Sequence, residues 1–387
     1  MELTKQNSVE WIWNQVEQIP EYPNNFEDRG IVMIAGGNKY WVNSYASIRL
    51  LREKGCKLPI NCYYLGDKEK DEKMQEILSQ YNVTCSDIRA FNKTLEVPHT
   101  NLNGWEAKAF AIIHSPWKEV LYLDADVFCK EDPTWMFDSE QFNQYGCIFM
   151  PDRGKLAKDR EVWKLCGVEH TEETAMEFES GIIYIDKERC WQPLNLCNKM
   201  CEIGVKFGWF GTHGDKDLWH MAWLILNIPY YQRQKRWDAI PGTMIQCDTN
   251  GEHFFYHRNM RKLELLNNNP VGVRFVNEDL ILGYLEELKT EWNPYALPDQ
   301  DPQTDELAGT SYQYIRLGID QRMLTFGKDN KIIQGKARME NSYSLKDGYL
   351  YLLDKDGGIT AKFEKWSGGW IGRWLDFERA ICLLVSR

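Results

Sequence analysis

The 387-residue chain contains no apolar run approaching the length that crosses a bilayer. Its opening stretch, MELTKQNSVEWIWNQVEQIP, lacks the basic head and apolar core of a secretory leader. Both absences point to a chain with no membrane span and to a cytoplasmic location. Positive charge is also short. Lys and Arg number 46 against 57 Asp and Glu, a formal net charge of −11. Nucleic-acid binders present basic faces to the phosphate backbone, so nucleic acid is not expected as the main partner. The 11 cysteines form no C-x-x-C pair, and Cys197 and Cys201 lie on an apparent helix with no second pair to match. That argues against a structural zinc site and for reduced thiols. Neither G-x-G-x-x-G nor a P-loop occurs, which disfavours a dehydrogenase or a kinase. There is no tandem repeat and no low-complexity tract.

Aromatic residues are plentiful, with 16 Trp and 19 Tyr. Such a composition suits carbohydrate stacking and core packing alike. Val9, Ile12, Trp13, Val16 and Ile19 follow helical spacing, so the N-terminus reads as an amphipathic helix laid on the core. The runs GIVMIAGG (30–37) and INCYYLGD (60–67) are each followed by a helical pattern. That rhythm predicts a mostly parallel sheet with helices on both faces. Further helices are expected over 105–115, 187–204, 216–226 and 276–290, with strands at GCIFM (146–150), GIIYID (181–186) and HFFYH (253–257).

Composition changes at 293–309, NPYALPDQDPQTDELAG, which is rich in proline and acids and reads as a linker. The alternating runs after it, with hairpin signals in GYLYLLDKDGGITAKFE and MLTFGKDNKII, predict a small all-β domain. The expected organisation is a catalytic α/β domain over 1–292, a linker over 293–309 and a β-rich accessory domain over 310–387. In KWSGGWIGRW, Trp366, Trp370 and Trp374 recur every fourth residue. On one extended strand they would share a face, as a sugar platform or as core.

The stretch EVLYLDADVFCKEDP carries the first chemical signal. Asp124 and Asp126 leave an apolar strand one residue apart. Strand ends favour Asp for turns, but two such carboxylates can also converge on Mn²⁺ or Mg²⁺. In open parallel sheets ligands bind outside the carboxyl ends of the strands. Gly36 and Gly37, which let a backbone approach a ligand closely, fall at such an end too. His257 closes another strand and is followed by Arg258, Arg261 and Lys262, a local basic cluster in an acidic chain. The imidazole suits a third metal ligand, and the cations suit a diphosphate. In ESGIIYID, Ser180 and Gly181 stand just before an expected strand. Asp215, Lys216 and Asp217 open a helix, where an acid also serves as a cap. His220 and Trp223 read as packing residues.

Four stretches in order, GIVMIAGGNKYWVNSYASIRLLREKGCKLPINCYYLGD, GWEAKAFAIIHSPWKEVLYLDADVFCKEDP, ESGIIYIDKERCW and GDKDLWHMAWLIL, resemble the GT-A fold glycosyltransferases. The chain is most similar to the fungal-type α-mannosyltransferase family and, more distantly, to the glycogenin-like retaining enzymes. The resemblance covers roughly residues 28 to 260. It implies a metal-dependent, retaining transferase that moves a hexose, with mannose favoured, from a nucleotide-diphosphate sugar to a glycan hydroxyl. The donor would be GDP-mannose or a UDP-hexose. Asp124, Asp126 and His257 would hold Mn²⁺ or Mg²⁺, and Lys262 would lie on the diphosphate. Ala35, Gly36, Gly37, Tyr40, Lys108 and Asp124 would line the nucleotide. Ser180 and Gly181 would border the transferred sugar, and Asp215, Lys216 and Asp217 would lie near the anomeric centre. This chain departs from the glycogenin-like pattern in the spacing after His257 and in a missing glycine. Two other classes compete: a nucleotidyltransferase, and a carbohydrate-binding or scaffold protein with a degenerate transferase domain. The oligomeric state is left open by the sequence.

Overall fold

The first apolar runs form parallel strands because they have no polar face to offer to water. The computed structural model describes residues 3–102, 104–204, 210–212, 214–233, 238–265, 277–292, 294, 307–346, 348–355, 357–374 and 381–386. The chain divides into two compact units. One holds residues up to Glu264 together with 268–287, and the other holds 265–267 and Leu288–Arg387. The segment 293–309 lies almost wholly outside the described residues.

The first unit begins with helix α1 (Ser8–Glu17) and strand β1 (Glu27–Ile34), then α2 (Gly37–Glu53), β2 (Ile60–Tyr64), α3 (Glu72–Ser79), β3 (Val83–Asp87), α4 (Ile88–Asn92) and α5 (Ala107–His114). It continues with β4 (Trp117–Leu123), β5 (Val127–Cys129), α6 (Glu140–Tyr145), β6 (Cys147–Lys155), α7 (Glu161–Cys166), β7 (Met176–Asp186), α8 (Trp191–Gly204) and α9 (Lys216–Ile225). Last come β8 (Tyr231–Gln232), β9 (Asp238–Ile240), β10 (Thr243–Cys247), β11 (His253–His257) and α10 (Glu278–Glu291), whose residues from Leu288 on are counted with the second unit.

The seven-stranded sheet has the order β3-β2-β1-β4-β7-β6-β8. Strands β1 to β4 are parallel. Ile31, Val32 and Met33 of β1 and Val120 to Leu123 of β4 are buried, as two-sided burial requires. The strand order reverses between β1 and β4, the place where such sheets open a crevice. Helix α2 leaves that crevice with Tyr45, Ile48 and Leu51 all buried.

Three local expectations change. In α1 the buried side is carried by Ile12, with Trp11, Val16 and Ile19 packed against the core, while Val9 and Trp13 face solvent. The sheet turns mixed beyond β4, because β7 runs antiparallel to both β4 and β6. And Ser180 and Gly181 do not precede β7 but lie inside it. The strand starts five residues earlier than its apolar run, at Met176, and a bulge against β6 at Phe149/Met150 lets it continue through them.

A second, four-stranded sheet of order β5-β11-β10-β9 sits on the same unit. Its pairing of β11 with β5 aligns His257 with Val127. That register carries a late segment of the chain to the residue after Asp126.

The second unit is an eight-stranded antiparallel sheet: β12 (Ser311–Arg316), β13 (Asp320–Phe326), β14 (Ile332–Gln334), β15 (Ser342–Lys346), β16 (Tyr349–Leu353), β17 (Ile359–Trp366), β18 (Gly369–Trp374) and β19 (Ile381–Ser386), in the order β14-β13-β12-β19-β18-β17-β16-β15. Both expected hairpins form, β13–β14 and β16–β17. The tryptophan row does not form one face. Trp366 ends β17 and is half exposed, while Trp370 and Trp374 lie on β18 and are buried in the core with Tyr314, Phe326 and Phe363. The turn at 367–368 breaks the row.

Candidate metal and nucleotide site

Strand β4 ends at Leu123, and the ladder makes one more bond. The Asp124 amide donates to the Gly181 carbonyl at 2.8 Å. This fixes Asp124 at the edge of the crevice, a quarter exposed. Its carboxylate accepts from the Tyr122 hydroxyl at 2.8 Å and lies 3.1 Å from Lys108 Nζ. After one tight turn, in which the Val127 amide bonds the Asp124 carbonyl, Asp126 points inward and is fully buried. Its carboxylate meets Lys262 in a close ion pair, and its Oδ1 lies 3.5 Å from His257 Nε2. The same imidazole nitrogen is 3.7 Å from Asp124 Oδ2.

These three side chains bring one ligand atom each to within 4.8 Å of one another. Two carboxylates and one imidazole suit a hard to borderline divalent ion such as Mn²⁺, whose preferences allow nitrogen beside oxygen. The donor set therefore fits the metal that the resemblance implies. Glycine at 181 makes room for it: a Cβ there would fall 2.7 Å from His257 Cε1.

The charges explain one another. Burial works against a charged His257, but Asp126, Glu179 and Asp124 outweigh it and push its pKa up to about 9. Burial likewise opposes the charge on Asp126, but His257 and Lys262 outweigh it and hold its pKa well below the usual range. Lys108 is buried too, yet Asp124, Asp215 and Glu179 keep its pKa above that of a free lysine.

Lys108 joins the metal triad to a second carboxylate. Its Nζ donates to the Ser180 carbonyl and hydroxyl at 3.2 and 3.1 Å and lies 3.7 Å from Asp215 Oδ2. Asp215 is held at both oxygens, by the Ser180 hydroxyl at 3.2 Å and by the indole N–H of Trp219, one helical turn along α9, at 3.0 Å. Its neighbours turn elsewhere. Lys216 pairs with Asp152 and, at 3.1 Å, with Glu177. Asp217 is buried 3.6 Å from Arg160. His220 and Trp223 are core residues, as their positions on α9 suggested.

The glycines after β1 have distinct reasons. Ala35 is buried and its amide continues the ladder to Tyr63. A Cβ on Gly36 would lie 2.7 Å from Glu69 Cβ, and Gly37 takes the left-handed φ of 68° that glycine tolerates. Tyr40, on the first turn of α2 and 42% exposed, places its ring 5.6 Å from Lys262 Nζ. Of the basic residues after His257, Arg258 turns inward to Glu278 at 3.2 Å.

Sequence reasoning missed Glu179, Tyr122 and Trp219. Glu179 is half-buried, accepts from the Gly181 amide at 2.7 Å and faces His257 Nδ1 at 3.7 Å. Burial raises its pKa. Its signal was available, as an acid two residues before an apolar strand. Tyr122 and Trp219 gave none, because they alternate and recur like any core aromatic.

Residues 28–177 match a protein-family model described as a putative mannosyltransferase. The chain is 28% identical over 195 residues to the alpha-1,2-mannosyltransferase MNN21 of Candida albicans, covering 44% of this chain and 29% of that protein. It is 32% identical over 124 residues to the alpha-1,2-mannosyltransferase MNN5 of Saccharomyces cerevisiae, covering 32% of this chain and 21% of that protein. The chain thus spans less than a third of the length of these curated relatives. Among solved structures, the mannosyltransferase Ktr4p of S. cerevisiae in complex with GDP aligns with a TM-score of 0.37 and 10% identity, over 65% of this chain and 85% of that one.

Proposed function

Because residues 28–177 carry a mannosyltransferase-family segment, we propose that the first unit is a GT-A type, metal-dependent glycosyltransferase. It moves a hexose from a nucleotide-diphosphate sugar to a glycan hydroxyl. Mannose is the favoured sugar, since the relatives named above are mannosyltransferases, with GDP-mannose as donor ahead of a UDP-hexose. One observation carries the reading: Asp124, Asp126 and His257 converge on a single point, flanked by Lys108 and Lys262. A turn-forming Asp pair would not gather a buried imidazole and two lysines.

Asp124, Asp126 and His257 would hold Mn²⁺ or Mg²⁺. A divalent ion held there would supply positive charge to the diphosphate leaving group. Lys262, tethered to Asp126, supplies a fixed positive charge to the same leaving group. Tyr40, beside Lys262, and the Ala35–Gly37 turn line the nucleotide side. Lys108 stays charged in its buried setting, between the carboxylates of Asp124 and Asp215. Asp215, bonded at both oxygens, is the carboxylate aimed at the anomeric carbon, with Ser180 and Gly181 along the sugar. Lys216 and Asp217, with partners of their own, support the rim of that pocket. Retention of configuration is part of the proposal. Residues 1–292 form the catalytic domain and 310–387 an accessory domain.

The test is donor turnover. The protein is incubated with GDP-mannose, UDP-glucose, UDP-galactose and UDP-N-acetylglucosamine, each with Mn²⁺ or with EDTA, with and without mannobiose as acceptor. Metal-dependent release of one nucleoside diphosphate, lost in Asp126→Asn, is the expected result. Metal-independent release, or release that survives the substitution, would overturn the metal role. Absence of both turnover and metal-dependent nucleotide binding would overturn the function.

A further inference from the structure

Trp105 stands out among the large apolar side chains. It is 62% exposed, although it belongs to the turn that leads into the buried helix α5. Its carbonyl accepts the Lys108 amide at 3.2 Å, so it lies one turn before the lysine that reaches Asp124 and Asp215. On the other side its ring lies against Gly214. A Cβ on that glycine would meet Trp105 Cε3 at 3.5 Å and Cζ3 at 3.8 Å, in ordinary contact. Gly214 immediately precedes Asp215. The indole is therefore pinned between the two segments that supply Lys108 and Asp215, and it leaves most of its surface to solvent. Among the described residues its indole N–H has no hydrogen-bond partner, and its ring meets no other aromatic ring or cation.

An exposed indole needs no explanation when it stands alone on a surface. Here it borders a site of fixed polar groups. Glycine 214, with φ of 84°, presents bare backbone to one edge of the ring and holds it without covering it. A flat apolar plate next to the segments that carry Lys108 and Asp215 suits a pyranose ring, whose axial C–H face stacks on an aromatic while its hydroxyls bond polar groups at the edge.

We propose that Trp105 is the stacking platform for the acceptor sugar, a neutral hexopyranoside, placed so that its attacking hydroxyl lies on the Asp215 side of the site. This rests on the transferase reading above and adds the acceptor class and a residue that selects it. Because Trp105 sits on the rim and not among the ligands of the metal triad, its effect falls on the acceptor and not on the donor.

The experiment compares wild type, Trp105→Ala and Trp105→Phe in the full chain. Transfer to mannobiose, maltose and lactose is measured at saturating donor, together with direct binding of the same three sugars by saturation-transfer NMR and calorimetry. Thermal midpoints confirm that the exposed substitution leaves the fold intact. The expected result is a rise of tenfold or more in acceptor KM for Trp105→Ala, with less than threefold for Trp105→Phe and a donor KM within twofold of wild type. Binding of the preferred disaccharide should weaken in parallel. Equal acceptor KM and equal sugar binding in wild type and Trp105→Ala would overturn the proposal. If wild type neither transfers from any donor nor binds nucleotide with metal, the transferase reading falls, and the binding comparison still decides whether Trp105 holds a sugar.

Discussion

His257 Nδ1 faces Glu179 Oε1 at 3.7 Å, while the other ring nitrogen points to the aspartates. The second oxygen of Glu179 is already taken by the Gly181 amide at 2.7 Å, which leaves Oε1 aimed at the ring. A carboxylate behind a ligating imidazole keeps the proton on the far nitrogen and frees the near one for a metal. Glu179→Gln should therefore weaken Mn²⁺ binding by about 10- to 100-fold, the range such partners are worth. Calorimetric titration with Mn²⁺ alone checks this, and an unchanged affinity would mean that Glu179 only anchors Gly181.

Gly181 is expected to be intolerant for a local reason. Its added Cβ would fall 2.7 Å from His257 Cε1 and 2.9 Å from Glu179 Oε2, so Gly181→Ala must push the ring away from Asp124 and Asp126. The predicted outcome is a loss of Mn²⁺ affinity of about tenfold or more, with secondary structure unchanged by circular dichroism. Preserved affinity would show that the imidazole is free to shift.

The site was partly legible before any coordinates. Asp124 and Asp126 announce themselves because two acids at the end of an apolar strand are costly without a partner. His257 did so more weakly, through the basic cluster behind it. The parallel half of the sheet was readable from its two-sided apolar runs. What the sequence could not convey was pairing. The β5–β11 register sets His257 beside Asp126, and no local pattern encodes it. The antiparallel course of β7 was hidden for the same reason, since a buried strand looks alike in either direction. Trp366, Trp370 and Trp374 kept the spacing of a single face, and two residues of turn were enough to divide them.

That division predicts unequal costs. Trp370 is 4% exposed in the core of the second unit, so Trp370→Ala should lower stability by about 3–5 kcal/mol. Trp366 is 48% exposed, and Trp366→Ala should stay within about 0.5 kcal/mol. Urea unfolding of the full chain, followed by far-UV signal from the β-rich unit, distinguishes the two. Equal losses would contradict the burial described for them.

Lys187 gives a pH signature away from the site. It is fully buried, and its ammonium nitrogen lies 2.7 Å from the Ser115 carbonyl, 3.2 Å from the Ile113 carbonyl and 3.2 Å from the centre of the Phe26 ring. Burial pushes its pKa down to about 6. The unfolded chain, with an ordinary lysine near pKa ~10.4, then binds more protons between those values than the folded one does. Stability from this group accordingly rises with pH across the window and falls as the solution is acidified toward 6. Lys187→Met removes the effect. The stability difference between wild type and Lys187→Met should shift in favour of wild type by up to about 1.4 kcal/mol per pH unit from pH 7.5 to 9.5. A difference that stays flat would mean that the carbonyls and the Phe26 ring keep the buried ammonium charged.

The ion pair between Lys262 and Asp126 joins positions 136 residues apart in the chain. During synthesis the aspartates emerge long before their imidazole and lysine. Until the ribosome has delivered β11, Asp126 has none of the positive charge that later surrounds it. The central strands can pair early, since β1 to β4 are close in order, but the centre they are to serve has to wait for distant contacts, which form slowly. The convergence of Asp124, Asp126 and His257 is thus a late event in the life of each molecule. A chain cut short before residue 253 would keep the acids and lose both the histidine and the lysine that give them a purpose.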